Sequence, residues 1–489
     1  MAFNKAPTQD TYRSERISLV NEINWRDGGA TGKDEDYLNV FVETIRNKPI
    51  DDKRKYVVKR AGATTALSRV TFSLCRGMFF WADQNKIFQA VDDDIHIHDV
   101  NTGTVTSLSA VFGTLSGYVG FTEYLYDTNT TVVIATDGTT LVQIDSSNTL
   151  TTCVDADLPT PHLPYPVFLD GYLFLVKTNS ADIYNSDLND PMLWTAGNFV
   201  TAEMEGDYLQ RIAKLNNYLL AFGTNSIEYF WDAGNSPGSP LQRNDTPIKI
   251  NSYLGGWAQY GNEVFYIGRD SGGQPDVFLL KDFKITPVGS NSVSRYLNRT
   301  TDGSTAWHGN IVAFKGHVFY VLRAGDTKTF MCDVDTKFWT RIGFQSLNVF
   351  NINNTVSVKT STTIKTYFTL NIADSIIYKF DDDTYQDVSS NFTCRVVTPP
   401  ENFDTWNRKT MYRLTLLGDD PGSDSNVLVQ WTDDDYQTFN TGLNINQHAD
   451  MPSIRRLGVF RERAFKLTYT DNYPFRVTEL EVDINKGNS

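Results

Sequence analysis

Cysteine is scarce: four residues in 489, Cys75, Cys153, Cys332 and Cys394, far apart and forming no CxxC pair. Such spacing argues against a disulfide framework or a zinc knuckle. Long apolar runs are missing too. VFLDGYLFLV at 167–176 is broken by Asp170 and is too short to span a bilayer, so no stable membrane insertion is expected. The segment MAFNKAPTQDTYRSERIS has no apolar core of a signal peptide, and assembly in a cytoplasm is the expectation. Positive charge is in deficit, with 44 Lys and Arg against 58 Asp and Glu and a net charge of −14. Tight coating of nucleic acid needs the opposite balance. Walker and HExxH motifs are absent, which leaves phosphate-cradle and zincin readings without support.

Aromatic residues, in contrast, are abundant: 30 Phe, 24 Tyr and 9 Trp, or 13% of the chain. They fall in a repeat of two short strand-like runs joined by a turn. The pairs are GMFFWA with KIFQAV (77–91), TVVIAT with TLVQID (131–145), and YLFLV with ADIYN (172–185). YLLAFG with SIEYFW (218–231), EVFYIG with DVFLLK (263–281), HVFYVL with TFMCDV (317–334) and TYFTL with SIIYKF (366–380) complete the series. Connections such as DQN, DGT and RDSGGQP carry turn chemistry. A period of roughly 40–50 residues is that of a four-stranded propeller blade, and radial closure removes exposed sheet edges. The expectation is an all-β chain with a β-propeller of six or seven blades.

The ends depart from this rhythm. Residues 1–65 read as an amino-terminal lead-in and docking segment, in which 17–23 and 36–45 could be short strands or a helix turn. Residues 66–389 read as the propeller body. Residues 390–489 read as a carboxy-terminal β module, either a small sandwich or strands that close the ring. Charge divides similarly: 1–60 and 451–489 are each net +2, so 61–450 carries −18.

Four motifs stand out. TDDDYQTF at 432–439 looks like an Asp-box, with Thr432, Asp434 and Thr438 in place but Tyr436 for the glycine and Phe439 for the tryptophan; a hairpin-stabilising role is expected. DDDIHIHD at 92–99 sets Asp94, His96 and His98 on one strand face, a partial metal set better read as a solvated polar face. DDDTYQD at 381–387 lacks the EF-hand glycine and terminal glutamate and reads as a solvated turn. In IRRLGVFRERAFKLTY (454–469), Arg455, Arg456, Arg461, Arg463 and Lys466 cannot all share one strand face. They form either a solvated ribbon or a surface for a neighbouring subunit or partner. No catalytic residue, cofactor or functional metal is assigned.

Three stretches resemble the tail nozzle, or packaged-DNA stabilisation, proteins of short-tailed bacteriophages. DYLNVFVETIRNKPIDDKRKYVVKRAGATT (36–65) is similar to the family's first segment, although Arg60-Ala61-Gly62 replaces its usual Pro-Gly turn. LNNYLLAFGTNSIEYFWDAG (215–234), with Phe222-Gly223 and Ile227-Glu228-Tyr229-Phe230, resembles a family blade. VLVQWTDDDYQTFN and SIRRLGVFRERAFKLTYTDNYPFRVTELEVDI resemble its closing module. The resemblance implies a structural protein of the virion tail, in which six copies form a tube below the portal and adaptor ring. Such a homo-hexamer retains packaged DNA, passes it without sequence-specific binding, and meets tail fibre or tailspike and tip proteins. Two other classes stay open: a receptor- or glycan-binding propeller, favoured if Trp194 or Trp257 is exposed, and a sialidase-like glycosidase, which lacks a paired acid and base here.

Overall fold

The computed structural model describes residues 13–20, 36–44, 55–67, 73–127, 130–244, 247–250, 253–300, 307–359, 364–374 and 376–487. Six antiparallel sheets follow one another at 75–108, 120–152, 167–201, 209–243, 253–287 and 307–341. A seventh takes three strands from 352–381 and its fourth from Gly62–Leu67, where Ala63 lies opposite Phe380 and Thr64 opposite Lys379. First strands of neighbouring sheets touch from blade one to blade four and from blade five to blade seven, and Ile352–Lys359 of the seventh reaches Cys75–Trp81 of the first. Blades four and five share a core of Leu220, Phe222, Val264 and Tyr266. The molecule is an all-β propeller of seven blades. Its ring is closed by amino-terminal residues, so the sequence boundary drawn at 65/66 falls inside the closing strand.

Blades stack face to face, and the middle strands therefore bury both faces. Val264, Phe265, Tyr266 and Ile267 are all excluded from solvent, as are Leu219 to Phe222. That is why second and third strands appear as unbroken apolar runs, whereas outer strands such as Lys284–Pro287 stay half-exposed and polar. Six of the seven strand pairs read from sequence are second and third strands. The first pair, GMFFWA with KIFQAV, is one strand out of phase, being strands one and two of its blade.

Residues 394–486 form a β-sandwich together with strands from the amino-terminal segment. One sheet runs Val40–Thr44, Lys55–Lys59, Arg476–Lys486, Lys409–Gly418, Ser453–Phe460, with Arg13–Ser18 also paired to Arg476–Lys486. The facing sheet contains Cys394–Val397, Ala464–Tyr469, Asn426–Thr432 and Leu443–Asn446. Val42, Val57, Val396, Leu414, Val429, Leu467 and Leu480 form part of the core between them. Asp36–Leu38 joins this second sheet to blade six, parallel to Trp339–Arg341 and antiparallel to Cys394–Val397.

The junction of sandwich and propeller is built around Arg60, which is 1% exposed. Its guanidinium donates to both Asp387 oxygens at 2.9 and 2.5 Å, to Asn39 Oδ1 and to the carbonyls of Ala61 and Gly343, and lies 3.8 Å from the Phe392 ring. One side chain thus ties both amino-terminal strands, blade six, the loop after blade seven and the sandwich. At Gly62 a Cβ would collide with the Gln386 carbonyl, so no larger residue fits where the chain enters blade seven. Asp36 adds a second tie, accepting from Arg341 at 2.8 and 2.6 Å and from Arg395 at 2.7 Å. Burial pushes the Asp36 carboxyl up, but the two guanidiniums hold it below the usual range.

Candidate subunit interface

Among the described residues the strand Ser453–Phe460 is a free edge of its sheet. Its pairing with Lys409–Gly418 slips between Met411 and Arg413: two residues there span three on the edge strand, from Gly458 to Arg455. Arg456 takes φ +65 and Gly458 φ +83 within this β-bulge. The extra residue breaks strict alternation and leaves the adjacent Arg455 and Arg456 both exposed, while Ile454, Leu457 and Phe460 stay in the core.

Arg461 is also exposed and donates to the Trp406 carbonyl. Around these cations stand Trp406, Met451 and Val459, exposed by 62, 55 and 57%, together with Tyr412. An open sheet edge carrying Arg, Trp, Tyr and Met has the composition of the core of a protein interface.

Arg463 is a different case, since it is turned inward and 2% exposed. It donates to both Asp433 oxygens at 2.7 Å and to the Leu457 carbonyl, with the Phe460 ring 4.3 Å away. Its valences are met inside the chain, which makes it a brace for the edge strand. Lys466 lies 4.0 Å over the Phe439 ring. The arginine strip therefore divides: Arg455, Arg456 and Arg461 face out, and Arg463 holds the scaffold.

The other motifs resolve as follows. Asp434 accepts from Thr432 Oγ1, from Thr438 N and from Thr438 Oγ1, which close a local turn and hold its carboxyl at about 2. His96 and His98 are 1% and 0% exposed, not solvated, because the third strand of a blade is covered on both faces. His98 Nε2 meets Gln89 Oε1 at 3.1 Å, and no metal-competent cluster exists among the described residues. Asp387 is likewise buried rather than in a solvated turn, as the counter-ion of Arg60. Trp194 is 3% exposed and Trp257 half-buried, so neither is a freely exposed stacking platform. The Arg60–Asp387 pair escaped sequence reasoning because its partners lie 327 residues apart.

A family model described as "Bacteriophage P22 Gp10, beta-propeller" matches residues 23–364. No curated protein matches the chain. Among solved structures, a streptogramin B lyase is similar with a TM-score of 0.45 and 12% identity, covering 66% of this chain and 98% of its own. A virginiamycin B lyase from Staphylococcus aureus gives 0.44 and 11%, covering 66% and 98%. The N-terminal domain of Nup159 gives 0.41 and 10%, covering 70% and 99%. No helix among the described residues is long and apolar enough to cross a membrane.

Proposed function

We propose, from the premise that this chain belongs to the phage stabilisation family and is a structural component of a virion, that it is the tail nozzle of a short-tailed phage. Six copies form a ring below the portal and its adaptor, retain packaged DNA, and conduct it at ejection. Tail fibre or tailspike and tip proteins attach to the same assembly. The family match across more than two thirds of the chain carries this reading.

Two physical features support it. A chain of net charge −14 repels a phosphate backbone, so a duplex slides past such walls without sticking. The propeller's own central cavity, about 1020 Å³, has the capacity of a ligand pocket and not of a DNA conduit. The conduit then lies between subunits of a closed ring. The free edge with Arg455, Arg456 and Arg461 is the surface that meets a carboxylate-bearing neighbour, a second copy or the adaptor.

Native mass spectrometry of the purified chain, with and without its adaptor, tests the ring together with particle averaging of intact tails. A hexamer in tails is expected. A monomer in both settings overturns the reading.

A further inference from the structure

The central cavity of the propeller is electrically unlike the body around it. Its charged lining among the described residues is Arg76, Arg211 and Lys359 against one carboxylate, Asp92. His308 also lines it, but burial and the nearby Arg323 lower its pKa to about 4, so it is neutral near pH 7. Arg76 is consumed by structure, donating to the carbonyls of Gly117, Asp92, Thr114 and Ser116.

Arg211 is not consumed. Its guanidinium sits between two aromatic rings, 4.1 Å from Tyr165 and 4.5 Å from Trp257. It shares a hydrogen bond with the Tyr253 phenol but has no carboxylate partner among the described residues, and its buried Nε–H has no acceptor there. The neighbouring Tyr253 phenol, pushed up to about 12 mainly by burial, stays neutral and offsets no charge. Elsewhere in the cavity wall Asn310 Nδ2 and Trp307 Nε1 are further buried donors without an acceptor among the described residues. Every buried, orphaned side-chain atom of this wall among the described residues is thus a donor. An arginine does not lose its proton, and a half-desolvated cation without a counter-ion is costly.

The arrangement is also periodic. Tyr118, Tyr165, Arg211 and Trp257 follow at intervals of 47, 46 and 46 residues, one per blade over four successive blades. Tyr118 and Tyr165 continue the stack with ring centroids 5.5 Å apart. The belt fixes a planar fork of donors between aromatic walls, a geometry suited to a planar or tetrahedral oxyanion.

We propose that the propeller cavity is a binding site for one oxyanion group, a carboxylate or a phosphate, seated on Arg211 within its aromatic belt. The site is independent of the tube-forming role. Calorimetric titration of the purified full chain at constant ionic strength tests it, using inorganic phosphate, phenylacetate and the neutral phenylacetamide. One equivalent of phosphate or of phenylacetate per chain is expected, and whichever binds identifies the source of the oxyanion. Phenylacetamide should bind at least about tenfold more weakly than the bound anion. Arg211→Gln should weaken the anion by about tenfold with an unchanged melting temperature. Arg211→Lys, which keeps the cation between the rings but loses the fork, should weaken it several-fold and serves if the Gln variant does not fold. Failure of both anions to saturate, equal affinity for phenylacetamide, or undiminished affinity in a folded Arg211 variant overturns the proposal.

Discussion

At the scale of single residues, the buried charges are brackets between parts of the chain that are distant in sequence. Removing the Asp387 carboxylate leaves Arg60 charged in a site that is 1% exposed. Asp387→Ala is expected to lower stability by about 3–5 kcal/mol, read from the urea midpoint. Arg60→Met with Asp387→Leu should recover part of that loss, since two apolar groups leave no charge stranded. His308 gives a separate signature in pH. The folded ring titrates near 4 and an unfolded histidine near 6.5. Between those values the unfolded chain takes up a proton that the folded chain refuses, so stability falls as pH is lowered from 6.5 and the loss stops below about 4. The full effect is roughly 3 kcal/mol. Buried His162 shifts in the same direction, so His308→Gln should reduce the pH slope of the urea midpoint without abolishing it.

Among the elements, the bulged edge strand Ser453–Phe460 separates assembly from folding more clearly than any other. Arg455→Ala with Arg456→Ala should give folded, soluble chain with an unchanged melting temperature that fails to join tails, checked by sedimentation of assembled particles. Arg463→Ala, close by in sequence but facing inward, should instead cost roughly 3 kcal/mol and unfold the sandwich first in limited proteolysis. If the double variant assembles and its particles leak DNA faster, the edge faces the channel and not a subunit. The sequence made the blades legible because their middle strands are apolar on both faces, and it flagged the arginines because five cations in twelve residues are visible in any register. It could not separate Arg463 from Arg456. One inserted residue and a φ of +65 turn Arg456 out, whereas Asp433 and a backbone bridge to Glu401 hold Arg463 in, and alternation patterns carry no record of either. The strand Gly62–Leu67 was hidden for another reason. GATTAL has too little apolar content to announce a blade, and its partner is Ile377–Asp381, at the far end of the propeller. The Tyr118, Tyr165, Arg211, Trp257 series did have a signal, in its even spacing, but only once the strand period is set in the correct phase.

On the scale of the whole molecule, an acidic body surrounds a cavity whose lining is cationic, and the two proposed roles call on different fields. In the proposed conduit the outer field would keep a long polyanion moving, and salt should change its passage little because no phosphate is gripped. Ejection rates from intact particles are therefore expected to vary less with added monovalent salt than those of a particle carrying Asp→Lys changes on its channel wall. The closing strand sets a different kind of limit, one of time. Gly62–Leu67 leaves the ribosome some three hundred residues ahead of Ile377–Asp381, a wait of roughly 15–60 s at ordinary synthesis rates of 5–20 residues per second. Late in that interval the six blades at 75–341 form an open arc with an unsatisfied flank at each end. Neighbouring nascent chains on one message present the same flanks at the same moment, and an exposed strand edge pairs with whatever matches it. A late-closing ring of this kind is vulnerable to swapping its first strand between copies, so its yield in the cell should depend on how crowded the message is with ribosomes as well as on the stability of the finished fold.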